Sequence, residues 1–235
     1  MTYGLRLYND SANELTFADS GLIYTYRGRP TYQYTVDPGT DSVFSQCGYS
    51  VYTFAWNGPI IVGLGLDQWA TSIIDITRSG NTHTIKVMKG NGSFNSLGFD
   101  QQAFAQVYIF GVSIDQTGYG ISLFDDNGNI LSVITKPPLS YQYLVQSDGQ
   151  NSVSAPTLSI PVIIGANLSV KTTATRIGSS QSYIIKTYNP GWSISSGSVI
   201  PTFYQIFYAT DNFIAPQLAF RPSNALLLDG ALLQL

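Results

Sequence analysis

Residues 3–17 read YGLRLYNDSANELTF, and residues 119–133 read YGISLFDDNGNILSV. The two stretches align without a gap and share identical residues at Tyr3/Tyr119, Gly4/Gly120, Leu7/Leu123, Asp10/Asp126, Asn13/Asn129 and Leu15/Leu131. In both, apolar and polar residues alternate on each side of a short run rich in Asn and Asp, which tolerate the positive φ angles of tight turns. The repeat therefore predicts the same β-hairpin at two places in the chain.

Shorter matches follow the hairpins in the same order along the chain. Residues 32–34 recur at 141–143, residues 59–63 are similar to 161–165, and residues 104–108 resemble 203–207. Because the order is collinear, we interpret the chain as a tandem duplication, with one antiparallel β-sandwich-like domain in residues 1–116 and a second in residues 117–235. The alternative is that the two hairpin stretches are unrelated.

Further hairpins are predicted where strand-forming stretches surround turn residues. Residues 72–88 are rich in Ile, Thr and Val around Ser79-Gly80-Asn81, and residues 168–188 have the same pattern around residues 178–180. We interpret residues 216–229 as a degenerate third hairpin of this kind. Short strands broken by turn signals every 8–12 residues or so are typical of sandwiches and barrels, so the predicted fold class is all-β.

The composition supports the same fold class and excludes several functions. Charged residues make up 11% of the chain, against roughly 25% in an average domain. Glu and Lys, which usually cover exposed helix faces, are scarce, whereas there are 16 Tyr. The net charge of −3 argues against nucleic-acid binding. No apolar run reaches the ~20 residues of a membrane helix, so we also expect no membrane insertion.

Single copies of His and Cys leave little material for catalysis or metal binding. We interpret Cys47 as a buried apolar residue and His83 as a strand-edge or turn residue, since no sequence pattern joins the two. Residues 125–129 resemble the start of a calcium loop, but Ile130 and Lys136 occupy positions that require Gly and Glu, which favours a structural turn. We therefore predict no catalytic residue, no metal and no cofactor.

Carboxylates are the other candidates for chemistry, and pairs of Asp can cleave glycosides. A small hydrolase is therefore kept as a third hypothesis. Asp37 and Asp41 flank a Pro-Gly pair, and Asp67 lies close to Trp69. Asp adjoining Gly and Pro more often caps a turn, and we interpret Asp37 and Asp41 in that way. The glycines of residues 63–65 are interpreted as bulge or turn positions.

The aromatic residues pose a sharper question of binding. Three Trp and the tyrosines at positions 24, 26, 32, 34, 49 and 52 could stack on sugars or anchor a neighbouring protein. Alternation within residues 24–26 and 32–34 puts each pair of rings on one face of a strand. We therefore predict that these rings lie in the core or at a subunit interface rather than in a sugar site.

Two features are predicted to contact a partner. Trp192 follows Asn189-Pro190-Gly191 at a predicted turn, and we expect it to be an exposed anchor. The C-terminal stretch from Leu226 is apolar and rich in Leu, and we expect it to dock on another chain. The predicted partner-binding residues are Trp192, Leu226, Leu227, Leu228, Leu232, Leu233 and Leu235.

The Tyr-Gly-Leu hairpin resembles a motif in small proteins from the tail-tip region of long-tailed (siphovirus-type) bacteriophages and prophages. In those proteins a Tyr-x-Phe strand precedes the hairpin and a Pro-Leu step follows it. Residues 108–143 show that order, with Tyr108-Ile109-Phe110, Tyr119-Gly120-Ile121 and Pro138-Leu139. The chain departs from the motif at Ala12, where Gly is usual, and at residues 132–135, where Phe-Asp-Ser is expected.

The resemblance implies a non-enzymatic virion structural protein of the tail tip or fibre-attachment region, assembled in the host bacterial cytoplasm. Its expected partners are other tail proteins (hub, fibre or tube), with a host surface receptor as a further candidate. Two similar domains in each of three chains would match a six-fold tail tube, which predicts a homotrimer. The alternative is a carbohydrate- or receptor-binding module for the host surface, which would expose an aromatic cluster at one end.

Overall fold

The structure is a computed structural model, and it describes residues 6–8, 14–16, 23–36, 49–90, 105–113, 121–124, 127–136, 138–139, 141–147, 151–165, 171–177, 182–211 and 223–233. Most of these residues are in strands, with one short 3₁₀ helix at Gly230–Leu233. No helix in this part of the chain is long and apolar enough to cross a membrane. The predicted all-β fold class is confirmed.

The strands are numbered in chain order. They are β1 (Arg6–Tyr8), β2 (Glu14–Thr16), β3 (Thr25–Gly28), β4 (Thr31–Val36), β5 (Tyr49–Ala55), β6 (Ile60–Gly65), β7 (Ala70–Ser79), β8 (Thr82–Gly90), β9 (Val107–Gly111), β10 (Ile121–Phe124), β11 (Ile130–Ile134), β12 (Tyr143–Ser147), β13 (Val153–Ser154), β14 (Pro161–Gly165), β15 (Lys171–Arg176), β16 (Tyr183–Ser195), β17 (Ser198–Asp211) and β18 (Ser223–Asp229).

Two large antiparallel sheets contain most of the strands. A six-stranded sheet has the order β12-β18-β14-β6-β9-β3. The second sheet has the order β13-β17-β16-β7-β8-β5-β4, and β15 pairs with β16 beside this path. The pairs β1-β2 and β10-β11 form separate hairpins. The chain passes from one large sheet to the other several times, as in a β-sandwich.

One apolar core lies between the two large sheets. Leu64, Ile109 and Leu227 of the six-stranded sheet pack in one cluster with Ile85 and Val199 of the other sheet. All five side chains are at most 4% exposed. Burying a side chain of this size contributes about 1.5–3 kcal/mol. The shared core therefore holds the two sheets face to face.

The six-stranded sheet also carries a second apolar cluster on its outer face. Tyr108 and Phe110 are fully buried there and pack with Val162 and Leu228. They point away from the central core because they alternate along β9 with the inward-facing Ile109. Strand β9 therefore lies between two apolar layers, which explains why all five of its residues are buried.

The two halves of the chain have the same strand order. Within residues 1–116, β9 lies between β3 and β6, and β8 lies between β5 and β7. Within residues 117–235, β18 lies between β12 and β14, and β17 lies between β13 and β16. Strands β4 and β15 are additions to this shared order.

The shared order is what a duplication would produce, but the shorter sequence matches follow it only in part. Residues 59–63 and 161–165 fall on the equivalent strands β6 and β14. The match of residues 104–108 with 203–207 instead relates β9 to β17, and the match of residues 32–34 with 141–143 relates β4 to β12 of the other sheet. The duplication itself stays a prediction.

Strands from both halves lie in both large sheets. The halves join at the sheet centres, where Leu64 pairs with Ile163 and Thr71 pairs with Trp192. The predicted boundary between residues 116 and 117 thus separates two runs of sequence but not two sheets. Each half adds its strands to the sheets of the other.

The predicted hairpins are present where the structure describes them. The register pairs are Leu7 with Leu15 in β1-β2, Leu123 with Ser132 in β10-β11, Ser79 with Thr82 in β7-β8, and Arg176 with Tyr183 in β15-β16. Gly80 has φ +60°, which the β7-β8 turn requires. The first arm of the predicted third hairpin lies outside the described residues. Its second arm is β18, which pairs with β12 and β14.

Gly63 and Gly65 are paired positions within β6, so the predicted bulge or turn is wrong. A Cβ atom on Gly63 would lie 2.9 Å from Val162 Cγ1 and 3.3 Å from Phe110 Cε2. A Cβ atom on Gly65 would lie 2.8 Å from Gln106 Cβ. Glycine is needed because side chains of the neighbouring strands lie across these positions.

We expect Gly63→Ala to lower the free energy of unfolding by about 1–3 kcal/mol, because the added methyl group overfills the outer apolar cluster. Thr77→Ala, at an exposed position of β7, is the control and should change stability by less than about 0.5 kcal/mol. Urea denaturation of the purified variants measures both. Equal stability of the two variants would contradict the close packing over Gly63.

We also expect residues 1–116 and 117–235, produced as separate polypeptides, to fold only together. Each fragment alone would leave the centres of both sheets unpaired, because β6 and β7 pair with β14 and β16 across the halves. Co-expressed fragments should co-purify and show one cooperative thermal transition. A cooperative transition from either fragment by itself would show that the halves are independent.

Candidate functional site

Trp192 lies in the core and is not the exposed anchor that its local sequence predicted. Its side chain is 3% exposed and packs between the large sheets. The preceding Asn-Pro-Gly is not a turn but part of β16, where Pro190 pairs with Phe203 of β17. The pairing of β16 with β17 therefore carries the indole into the core. Trp56 and Trp69 are half-buried.

The C-terminal leucines divide between core and surface. Those at most 5% exposed are Leu227, Leu228 and Leu233. Leu226 is half-buried, Leu232 is 50% exposed, and Leu235 lies outside the described residues. Most of this stretch is used by the chain itself, because β18 lies between β12 and β14. Contact with a partner stays a prediction, and Leu232 is the most exposed described leucine of the group.

The predicted aromatic group divides among three environments. Tyr49 and Tyr52 are each 4% exposed, so for these two the predicted alternatives of core or subunit interface are decided in favour of the core. Tyr24 and Tyr26 pack, partly buried, against the outer cluster of the six-stranded sheet. Tyr32 and Tyr34, on β4, are 40% and 57% exposed. Strand β4 is an edge of its sheet among the described strands.

A bulge in β4 separates the two exposed tyrosines. Tyr32 pairs with Tyr52, which faces the central core, whereas Tyr34 pairs with Val51 on the opposite face of β5. Directly paired residues share a face of the sheet. The two rings therefore lie on opposite faces, and the prediction of one shared face is wrong for this pair because the extra residue, Gln33, shifts the register.

The remaining candidate residues have structural contacts where they are described. His83 is 4% exposed in β8, between β5 and β7, and its Nε2 lies 2.9 Å from the Gly58 carbonyl oxygen, so it is not at a strand edge. The turn predicted within residues 125–129 is present in its described part, where Gly128 has φ +79°. Cys47, Asp37 and Asp41 lie outside the described residues. Among the residues described, no group of three His, Cys, Asp or Glu could hold a metal.

A cavity of about 330 Å³ opens at one end of the six-stranded sheet. Its polar lining side chains are Arg29, Asp67, Gln106 and Ser159. The rest of the wall is glycine or apolar. These residues meet because neighbouring strands are antiparallel. The last residues of β3 and β6 therefore lie at the same end of the sheet as the first residues of β9 and β14.

Tyr108 holds two of these lining side chains in place. Arg29 Nη2 donates to the Tyr108 hydroxyl oxygen at 3.1 Å, and the Arg29 guanidinium lies 4.9 Å from the centre of the phenol ring. The same hydroxyl donates to Gln106 Oε1 at 3.0 Å. Burial raises the pKa of Tyr108 above its ordinary value, so the phenol stays protonated and can donate.

A buried lysine holds the carboxylate of Asp67. Lys89 Nζ lies 2.6 Å from Asp67 Oδ2, and the side chains are 6% and 46% exposed, respectively. The other carboxylate oxygen, Oδ1, accepts a hydrogen bond from the Trp69 backbone N–H at 2.8 Å, so Asp67 also caps a local turn. Burying an ammonium group costs free energy unless it is paired. The ion pair therefore both satisfies Lys89 and orients Asp67 at the cavity.

Asp229 holds one wall of the cavity, formed by Ser159 and Ile160 just before β14. Its carboxylate accepts backbone hydrogen bonds from Ser159 and Ile160, each at 2.9 Å, and from Ala231 at 3.0 Å. Burial alone would raise the pKa of this carboxyl, but the three N–H donors outweigh it and lower the pKa below its ordinary value. Asp229 is therefore a charged structural support and a poor proton donor.

The cavity offers fixed hydrogen-bond donors and acceptors, an arrangement that suits the binding of a small polar ligand. Sequence reasoning singled out Asp67 but missed Arg29, Gln106, Ser159 and Lys89. No local signal could have joined them, since Arg29 and Tyr108 are 79 positions apart. Only the adjacency of β3 and β9 brings these two together.

We expect Asp67→Ala to lower the free energy of unfolding by about 1–3 kcal/mol, a value reduced from that of a fully buried pair because Asp67 is half-exposed. Adding Lys89→Met to this variant should restore part of the lost stability, because the buried ammonium group that Asp67 pairs with is removed as well. The matched control is Asp75→Ala, which removes the more exposed Lys86–Asp75 pair at 4.0 Å and should cost less than about 0.5 kcal/mol. Denaturant titrations that give equal losses for Asp67→Ala and Asp75→Ala would contradict the ion pair.

Comparison of the chain with family models, with curated proteins and with solved structures gives no match in any of the three.

Proposed function

We propose that this chain is a non-enzymatic structural protein of a bacteriophage tail, located at the tail tip or the fibre-attachment region. The observation that carries the proposal is the Tyr-Gly-Leu hairpin motif of residues 3–17, which recurs at residues 119–133 with Ile121 in place of the leucine. The described parts of both segments pair as antiparallel hairpins outside the two large sheets. In the second hairpin, β11 packs against the rest of the chain through Ser132 and Val133, whereas Ile121 and Phe124 of β10 are exposed and could contact a neighbouring chain.

An exposed and uncharged edge strand supports an assembly role. Strand β4 reads TYQYTV, and its first four residues are exposed. Natural edge strands are usually protected from pairing with other chains by Lys, by Pro or by a bulge. Of these, β4 has only the bulge at Gln33. Such a strand is suited to pairing with a strand of a neighbouring tail protein.

The placement of the exposed tyrosines favours assembly over a receptor-binding platform. A sugar platform needs aromatic rings on one face, and the bulge puts Tyr32 and Tyr34 on opposite faces of β4. Rings on both sides of an edge strand can instead pack against the two faces of an added strand. The host-surface module is therefore the second candidate.

The proposal is tested on particles of a phage or induced prophage that encodes the chain. A strain with the gene deleted should release particles with defective tails, and the wild-type gene supplied in trans should restore infective particles that contain the chain by mass spectrometry. Particles that assemble and infect normally without the chain would overturn the proposal.

We expect Leu232→Lys to reduce incorporation into these particles severalfold without changing the thermal unfolding midpoint, because it puts a charge on the exposed leucine of the C-terminal stretch. Ile177→Lys is the control, since Ile177 is similarly exposed at 38% but lies after β15. A point substitution is needed here, because removal of residues 225–235 would take away most of β18 and unfold the six-stranded sheet. Normal incorporation of Leu232→Lys would exclude Leu232 from the interface.

A further inference from the structure

We propose that the cavity at the end of the six-stranded sheet binds a single neutral sugar residue. Its volume of about 330 Å³ is at the small end of the range for ligand pockets, roughly 300–1,000 Å³. The space suits one small ring rather than a large cofactor or an extended peptide. Neither a residue of β4 nor Leu232 is among the lining residues of the cavity.

The charges at the cavity argue for a ligand without net charge. Arg29 and Asp67 line the cavity, Lys89 is bound to Asp67, and Asp229 is bound to the backbone of the lining residues Ser159 and Ile160. These four side chains carry two positive and two negative charges. An anion such as phosphate would be attracted by the two cationic side chains but repelled by the two carboxylates. A cationic ligand would be attracted by the carboxylates and repelled by the cationic side chains. A neutral ligand avoids both penalties.

The hydrogen-bonding groups at the cavity identify the class of neutral ligand. Guanidinium can only donate and carboxylate can only accept, so a ligand that contacts both Arg29 and Asp67 must accept at one position and donate at another. Neighbouring hydroxyl groups of a sugar do both. Ser159 and Gln106 can serve as donor or acceptor, which suits further hydroxyls on the same ring.

The polar groups are held in position before any ligand binds. Tyr108, which is fully buried, orients Arg29 and Gln106, and the nearly buried Lys89 orients Asp67. Keeping a lysine in the interior costs stability, and a well-packed apolar residue would often serve a fold at least as well. A binding site gains from this arrangement because fixed groups lose little conformational entropy when they engage a ligand.

The test is saturation-transfer NMR on the purified full chain with sugars at about 10 mM, which detects dissociation constants in the millimolar range. The neutral probes are glucose, galactose, rhamnose and N-acetylglucosamine, and the charged probes are glucuronate and glucosamine. We expect transfer to at least one neutral sugar and weaker transfer to both charged ones. No transfer to any neutral sugar, or stronger transfer to a charged one, would overturn the proposal.

Variants then locate the binding. Arg29→Met and Gln106→Met should each lower the affinity for the sugar at least about tenfold, because each removes one hydrogen bond to a charged or fixed polar group. Arg78→Met, at the β7-β8 turn, is the matched control and should bind normally. If Arg29→Met lowers the unfolding midpoint, Gln106→Met decides the result. Unchanged binding by a folded variant at either position would place the sugar elsewhere and refute the site. Either outcome is independent of whether the chain is incorporated into particles.

Discussion

The pairing of β6 with β14 is the contact on which the rest of the structure depends. It joins the two halves of the chain at Ile163 and Leu64, which also contribute side chains to the core between the sheets. On the outer face, Gly63 leaves room for Val162 and Phe110 to lie across the same seam. Hydrogen bonding and packing on both faces are thus concentrated in two short strands, and the two halves become one sandwich.

The polar end of the sandwich follows from the same seam. Because β6 and β14 are antiparallel, β6 ends and β14 begins at the same end of the sheet, where β9 also begins and β3 ends. Arg29, Asp67 and Ser159 are brought together there from distant parts of the sequence. Buried Tyr108 and Lys89 hold the charged groups, at a cost in desolvation that the core alone does not require.

The scarcity of charge has different consequences in the interior and at the edges. Apolar side chains fill the central core and also the outer face of the six-stranded sheet, so β9 is buried throughout. At the edge of the other sheet, β4 exposes tyrosine, threonine and glutamine without a charged residue. A strand with this composition has little protection against pairing with another chain, which is an advantage in a protein that assembles with neighbours.

Local sequence determined the all-β class and the hairpins, because alternation and turn residues act over a few positions. The local sequence wrongly predicted turns or bulges at Trp192 and at the glycines of β6. A Pro-Gly or Gly-x-Gly stretch has the same sequence whether it forms a turn or lies within a paired strand. Only the tertiary structure decided that both halves share their sheets and that Arg29 meets Tyr108. Those contacts depend on which strands are neighbours, and strand order comes from the packing of the whole chain rather than from any local pattern.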